Sequence, residues 1–387
     1  MSNNLKILFV IVTKNSKSYI FNYVQNQIMY SRQTLKDIAD HIQINFSDFF
    51  VCHLNYNSEK LPAELIKQLQ QLPEEIQENY INGSLNSLLR RIYYEGSLTQ
   101  ETIIKVNQDY IDLEKSAVKI FEIDWDFYEQ LHQNNRGKGS FYQNFRVLRE
   151  EADGSLAVEH ENVTIHIQRE YHLQLAHQLA AVGDVVAVRI PPHQFKRGFY
   201  TVIGDALVDF NFSIYPLVVY FNFSAEGAVA VMKTLTAQLN DIKLPFTFMT
   251  LYNPYNYGRY DAGMLRFAPE DYELVRPVLE NVYAENQLHF HNQIPIFTKM
   301  LAPGLALAES PKQQIRSVED FGMNRCQIVA NALVEAHQNG DESPEARMKY
   351  ILKQFEQYGI DIERPYLNPG SEDIYTPLDV TNGVTVS

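Results

Sequence analysis

The stretch from Tyr215 to Phe267 constrains the fold more than any other: YPLVVYFNFSAEGAVAVMKTLTAQLNDIKLPFTFMTLYNPYNYGRYDAGMLRF. Tyr215 to Phe223 is a run of β-branched and aromatic residues, the composition of a buried strand. Ser224 stands where a helix N-cap belongs, since its hydroxyl can take a free amide of the first turn. Ala228, Val231, Met232, Leu235 and Leu239 then recur at helical spacing. Pro245 closes that unit, and Phe246 to Tyr252 reads as a second strand. The loop NPYNYG has turn chemistry and brings Arg259 to the head of a third strand, Tyr260 to Phe267. A strand–helix–strand–strand unit ending in a fixed guanidinium suits a site that grips an anion, without naming a reaction.

The chain has 387 residues, enough for a large core, and a formal net charge of −14. That acidity argues against a nucleic-acid partner, which needs a cationic face to neutralise phosphates. Two cysteines, Cys52 and Cys326, support neither a disulfide framework nor a thiolate cluster. The N-terminal LKILFVIV is too short to span a bilayer and TKNSKS after it makes a poor signal-peptide end. The expectation is a cytoplasmic protein without a membrane partner, in which LKILFVIV packs as a helix or strand.

Upstream, residues 1–130 read as an N-terminal helical region. LNSLLRRIYYEGSL (85–98) is a helix ended by Gly96, and another includes Phe121, Trp125, Phe127, Tyr128 and Leu131. At NNRGKGSF (134–141) two readings stay open: a loop whose amides and cations, Arg136 and Lys138, hold an anion, or a plain turn. It is neither a Walker loop nor a dinucleotide fingerprint. From residue 144 the pattern turns to β: FRVLRE, a turn at Asp153-Gly154, then LAVEHENVTIHIQ. Residues 170–181 read as helical, VVAVRI and FYTVIGD as strands, and PPHQFKRG between them carries His193, Lys196 and Arg197. SPEARMKYILKQFEQYG is a capped amphipathic helix with Ser343 at its N-cap and Pro344 at N1. The tail from 366 to 387 reads as loose.

No nucleophile elbow or Ser-His-Asp order is present. His289 and His291 alternate in HFH but lack a third ligand, so no metal is expected. Lys299, in IPIFTKML, reads either as a snorkelling surface lysine or as a buried functional amine. Arg136, Lys138, Arg189, His193, Lys196, Arg197, Arg259, Arg266 and Arg325 all sit at loop edges or element starts. Such cations either converge on a dianion or are scattered charges paired with Asp and Glu.

Several blocks together resemble the HopA family of type III effector proteins and its relatives, the lyases of lanthipeptide and thioamitide pathways. They are LLRRIYYEGSL (88–98), NNRGKGSFYQNFRVLREEADGSLAVEHENVTIHI (134–167), GFYTVIGDA (198–206), VYFNFSAEGAVAVMKTLTAQLNDIKLPFTFMTLYN (219–253), RYDAGMLRF (259–267), PIFTKMLAPGLALAESP (295–311) and FGMNRCQIVANALVEA (321–336). The resemblance implies an α+β fold of the phosphothreonine lyase kind: a mixed, mainly antiparallel sheet with surrounding helices over residues 131–365, beside the N-terminal helical region. It implies an enzyme that needs no cofactor and acts after a partner kinase has phosphorylated Ser or Thr in a precursor peptide. A lysine takes the α-proton, arginines hold the phosphate, and a dehydroamino acid results.

Carried over residue by residue, Arg259 and Arg325 match the family's arginines and are the expected phosphate grip; Arg197, Lys138 and Lys196 are further candidate cations, and His193 is the candidate acid. Where a base lysine is expected after PFxF, this chain has Met249, and a thioether takes no proton. Val218 and Val219 stand where the family often has an arginine, and Arg266 alters the aromatic end of its block. Three alternatives follow. Another amine serves (Lys196, Lys299 or Lys138), or His193 or Tyr200 takes over, or the chain binds a peptide or a kinase as a scaffold and eliminates nothing. A host-directed effector is a further alternative.

Overall fold

The computed structural model describes residues 31–56, 60–98, 123–196, 198–206, 215–315 and 319–380. The first 30 residues of the N-terminal region with the LKILFVIV run, Phe121 and Arg197 lie outside them.

Hydrophobic runs and caps set the elements. Helix α1 covers 31–41. A hairpin follows, β1 (Ile42–Asn45) with β2 (Phe50–His53), so the N-terminal region is not wholly helical. Helices α2 (Ala63–Gln70) and α3 (Glu74–Leu89) continue into a single π turn, Arg90–Tyr94. Gly96 ends that run at φ 64°, where a Cβ would lie 2.4 Å from the Tyr260 ring. Asp124 caps α4 (Trp125–Asn134), accepting the Phe127 amide at 2.9 Å.

The polypeptide then builds a four-stranded antiparallel sheet, β3 (Ser140–Glu150), β4 (Leu156–His160), β5 (Val163–Ile167) and β6 (Val185–Ile190), in the order β5-β4-β3-β6. The 170–181 stretch, expected to be helical, gives only a short helix α5 (Arg169–His172) and a 3-10 turn, Leu175–His177. The α5 N-cap, Gln168, makes no side-chain capping bond. This sheet has its own small core around Val147, Leu156, Val158, Val186 and Val188.

The larger sheet has seven strands in the order β12-β13-β9-β11-β10-β8-β7, all neighbours antiparallel. They are β7 (His193–Lys196), β8 (Phe199–Ile203), β9 (Leu217–Phe221), β10 (Thr247–Leu251), β11 (Gly263–Phe267), β12 (Lys299–Ala302) and β13 (Leu305–Glu309). Ser224 caps α6 (Ala225–Asp241) through the Gly227 amide, and β9, α6, β10 and β11 form the strand–helix–strand–strand unit read from the sequence. Helices α7 (Tyr272–Asn286), α8 (Phe321–Gln338) and α9 (Pro344–Gln357) follow. The fold is thus α+β with antiparallel sheets and surrounding helices, as expected. Helix α8 packs on both α3 and α9, and one core joins α1 and α3 to the large sheet. No helix among the described residues is long and apolar enough to cross a membrane.

Residues 366–380 correct the expectation of a loose tail. Tyr366, Leu367, Asn368, Tyr375 and Leu378 are buried. The Glu309 carboxylate accepts the Asn368 amide (2.8 Å), Ser371 Oγ (2.7 Å) and Tyr375 OH (2.8 Å). Asp373 takes Lys299 Nζ with both oxygens, at 2.7 Å each, and the Tyr366 hydroxyl at 2.6 Å. Polar composition suggested a free end, but these polar groups partner buried charges of β12 and β13.

Candidate functional site

Side chains alternate across a pleat, and residues paired directly across strands share a face. The register therefore sorts the candidates. Met249 pairs with Thr201 on β8 and with Met264 on β11. Met264 pairs with Tyr220, and Tyr220 with Ala306. This row defines one face, which also carries Lys196 (paired with Phe199) and Arg266 (paired with Thr247). His193 pairs with Val202 and lies on the opposite face with Tyr200. Their rings stack at 5.6 Å with planes 3° apart. The sheet thus separates His193 and Tyr200 from Lys196 and Met249. No single reacting atom can meet both sets.

On its own face, Tyr200 is fully buried beneath α4. Its hydroxyl lies 3.1 Å from His132 Nδ1 and accepts Asn135 Nδ2 at 3.3 Å. Burial raises its pKa well above the ordinary tyrosine value. Burial, then the neighbouring His132, lower the His193 pKa, and its buried Nδ1 has no hydrogen-bond partner. These groups seat α4 on the sheet.

The two arginines expected to grip phosphate are otherwise engaged. Arg259 Nε and Nη2 each donate at 2.8 Å to the two oxygens of Asp261, and Glu95 lies 3.6 Å away. Burial pulls its pKa down, but Asp261 and then Glu95 outweigh burial and the net shift is upward. Arg325 is 1% exposed. Its guanidinium donates to the carbonyls of Pro365 (2.8 Å) and Leu367 (3.0 Å) and to Asn324 Oδ1 (2.5 Å). Burial, partly offset by Glu309, lowers its pKa to about 10. Both arginines therefore hold the protein's own chain, and FGMNRC reads as a buried clasp. Lys299 is likewise a buried ion-pair partner of Asp373 rather than a snorkelling lysine or a free base.

The 134–141 loop has its anion inside the fold. The amides of Lys138 and Gly139 both donate to Asp205 Oδ1 at 2.8 Å, Gly137 N to Asn135 Oδ1 at 3.0 Å, and Arg136 N to Thr236 Oγ1 at 2.9 Å. A carboxylate thus occupies the place an external phosphate would need, and the Lys138 side chain is exposed.

Around Met249 the arrangement is different. Met249 is 8% exposed and Thr201 1%. Thr201 Oγ1 and Arg266 Nε are both buried without a hydrogen-bond partner. No salt bridge to Arg266 or Lys196 occurs among the described residues. Burial, then the charge of Arg266, lower the Lys196 pKa, so the two cations on this face feel each other. Arg266 also lies near Tyr220, whose ring meets Tyr94 at 5.8 Å. A buried guanidinium nitrogen and a buried hydroxyl left unsatisfied each cost about 1–3 kcal/mol, which a hydrogen-bonding ligand on this face would recover. The sequence places Arg266 among the candidate cations and as a departure from the family pattern, but not in the phosphate grip. Its signal was there: one arginine in a strand whose partner carries the substituted Met249.

Among the described residues, one cluster outside this face has metal-ligand chemistry: Asp37, His41 and His53, with ligand atoms within 4.8 Å of one another. Its geometry does not fit an ion. The two imidazoles stack at 5.3 Å with planes 21° apart, so their in-plane lone pairs do not converge. His53 Nδ1 accepts the Asn55 amide at 3.1 Å, which places its proton on Nε2, facing Asp37 Oδ2 at 3.3 Å. Tyr93 OH donates to the same oxygen at 2.7 Å. Asp37 is a hydrogen-bonded hub joining α1, β2 and the π turn.

Fold and site together describe an α+β protein with a cationic patch on one face of a seven-stranded antiparallel sheet. The model of the HopA1 effector protein family matches residues 190–367, the segment that carries this sheet, so the resemblance to HopA-type effectors holds there. Two solved structures are similar over 63% of this chain and 80% of theirs. One is an effector protein from Pseudomonas syringae pv. tomato strain DC3000 (14% identity, TM-score 0.38). The other is an effector protein from Pseudomonas syringae pv. syringae strain 61 (13% identity, TM-score 0.36). No curated protein matches the chain.

Proposed function

We propose that this HopA1-like chain binds a phosphorylated Ser or Thr residue of a precursor peptide against the Met249 face, downstream of a partner kinase. Arg266 grips the phosphate, Lys196 adds a second positive charge, and Thr201 Oγ1 donates from the floor. The observation that carries the reading is the pair of buried, unpartnered polar atoms, Arg266 Nε and Thr201 Oγ1, on the face where Lys196 also stands. In an acidic chain, cations left without carboxylate partners are suited to an anionic ligand.

A second reading adds chemistry: phosphate elimination, as in a lanthipeptide-type pathway. The observation in its favour is Lys196, whose pKa is lowered by partial burial and by the charge of Arg266. The Lys196 amine would take the α-proton, the Cα–H electron pair would form the Cα=Cβ bond, and the Cβ–O bond would break to release phosphate held by Arg266. Met249 and the seclusion of His193 favour binding without elimination.

Fluorescence anisotropy with a phosphothreonine peptide and its unphosphorylated twin tests the binding reading, with mass spectrometry following loss of phosphoric acid. Preference for the phosphopeptide supports it, and equal affinity for both peptides sinks it. Product formed by the wild type and lost in Lys196→Met supports elimination. Binding without product, with product gained in Met249→Lys, supports the scaffold.

A further inference from the structure

The four-stranded sheet ends on β5, and the outer edge of this strand pairs with nothing among the described residues. The β4–β5 turn is the two-residue Glu161-Asn162, with φ of 48° and 64° at the two positions. Such a turn makes the flanking His160↔Val163 a hydrogen-bonded pair. Counting along the register, Val158↔Ile165 and Leu156↔Ile167 are bonded too. The amides and carbonyls of Thr164 and His166 therefore point outward, away from β4.

Natural sheets blunt such edges with lysine, proline, inward charges or a bulge. Val163–Ile167, VTIHI, carries none of these, and the register shift of this sheet's β3–β4 ladder falls at Val147/Arg149. The apolar row of β5 also runs off the end of the small core. Ile167 is buried, Ile165 packs against that core, and Val163 is 60% exposed. A partner strand must bond Thr164 and His166 and present apolar residues at the alternate positions.

We infer that a second copy of this chain supplies that strand, with β5 pairing antiparallel to β5 about a twofold axis through Ile165. In this register Thr164 meets the partner's His166, and these are the residues whose backbone groups face outward on both strands. Val163 meets the partner's Ile167, and Ile165 meets the partner's Ile165, so the apolar row continues from one core to the other. The strand is electrically neutral apart from His166, which lies on the polar face 3.4 Å from Glu151, so the pairing opposes no like charges. The two sheets become one of eight strands, a closed isologous contact. Five residues bury little area, so the dimer belongs to the small-interface class below ~1,200 Å² and depends on concentration.

Sedimentation velocity across a dilution series of the full chain reads this out. The wild type is expected to shift from monomer to dimer as concentration rises. Thr164→Pro removes an outward N–H that β4 does not use, so it leaves the hairpin intact and holds the chain monomeric. Ile165→Cys places two sulfurs at facing positions on the axis, within the span a disulfide bridges. Mild oxidation is expected to cross-link it into dimers, while wild-type chains, carrying only Cys52 and Cys326, stay uncross-linked. A wild type that stays monomeric throughout, or that captures a free VTIHI-like peptide without self-associating, overturns the inference. So does a dimer that survives Thr164→Pro and does not cross-link through Ile165→Cys.

Discussion

Arg325→Ala separates a buried structural arginine from a phosphate ligand. The Arg325 side chain makes three hydrogen bonds to Pro365 O, Asn324 Oδ1 and Leu367 O, and it interacts with the charge of the buried Glu309. Hydrogen bonds from a charged donor are worth about 1.5–3 kcal/mol each. Removing one side of a buried charge arrangement costs about 3–5 kcal/mol, because the remaining groups stay buried and unpaired. The contributions overlap, so the expected total is about 4 kcal/mol. Against a urea slope of about 3 kcal/mol/M, the unfolding midpoint falls by roughly 1 M or more. Arg325→Lys keeps the charge but not the three-pronged reach, so it loses less. Urea unfolding followed by tryptophan fluorescence measures both shifts. A variant that unfolds at the wild-type midpoint yet loses phosphopeptide affinity refutes the structural assignment.

Four further outcomes follow from the same contacts. Asp205→Ala strands the amides of Lys138 and Gly139 and costs about 1–3 kcal/mol, with faster hydrogen exchange at those amides; unchanged exchange contradicts the internal-anion reading. Asp373→Ala leaves the Lys299 amine buried without its partner, costing about 3–5 kcal/mol by urea unfolding, and a wild-type midpoint means that Lys299 is solvated instead. Met249→Lys brings an amine between Lys196 and Arg266, so it lowers the Lys196 pKa further, seen as an acid shift of that side chain's NMR titration; an unmoved titration places the two residues on different faces. His193 is half-buried with a lowered pKa, so the unfolded chain takes up a proton near pH ~6.5 that the folded chain resists. The stability it contributes is complete above that pH and is lost as the pH falls. His193→Gln should therefore flatten the fall in Tm between about pH 7 and pH 5, and an unchanged slope removes His193 from the account.

Local signals carried much of the fold. Ser224 and Ser343 cap helices where their hydroxyls were expected, and the strand–helix–strand–strand unit stands with boundaries moved by a few residues. These features depend on a residue and its neighbours within one turn. The candidate site was less legible because it depends on register and distant partners. The pleat divides His193 from Lys196, three residues away, and only the pairing with β8 shows it. Arg259 reads as an anion-gripping guanidinium at a strand head, yet Asp261, two residues on, is the anion it holds. Arg325 and Lys299 are matched by Leu367 and Asp373, 42 and 74 residues away in a segment whose composition suggested a loose tail. Arg266 has acids as near in sequence, Asp261, Glu270 and Asp271, yet forms no salt bridge among the described residues, and only the structure shows that.

The central claim is that the phosphate sits on Arg266 and not on Arg259 or Arg325. Calorimetric titration of a phosphothreonine peptide into the wild type and into Arg266→Gln tests it most directly. The account predicts at least a tenfold loss of affinity, about 1.4 kcal/mol, with the unfolding midpoint unchanged. Wild-type affinity in Arg266→Gln would contradict it.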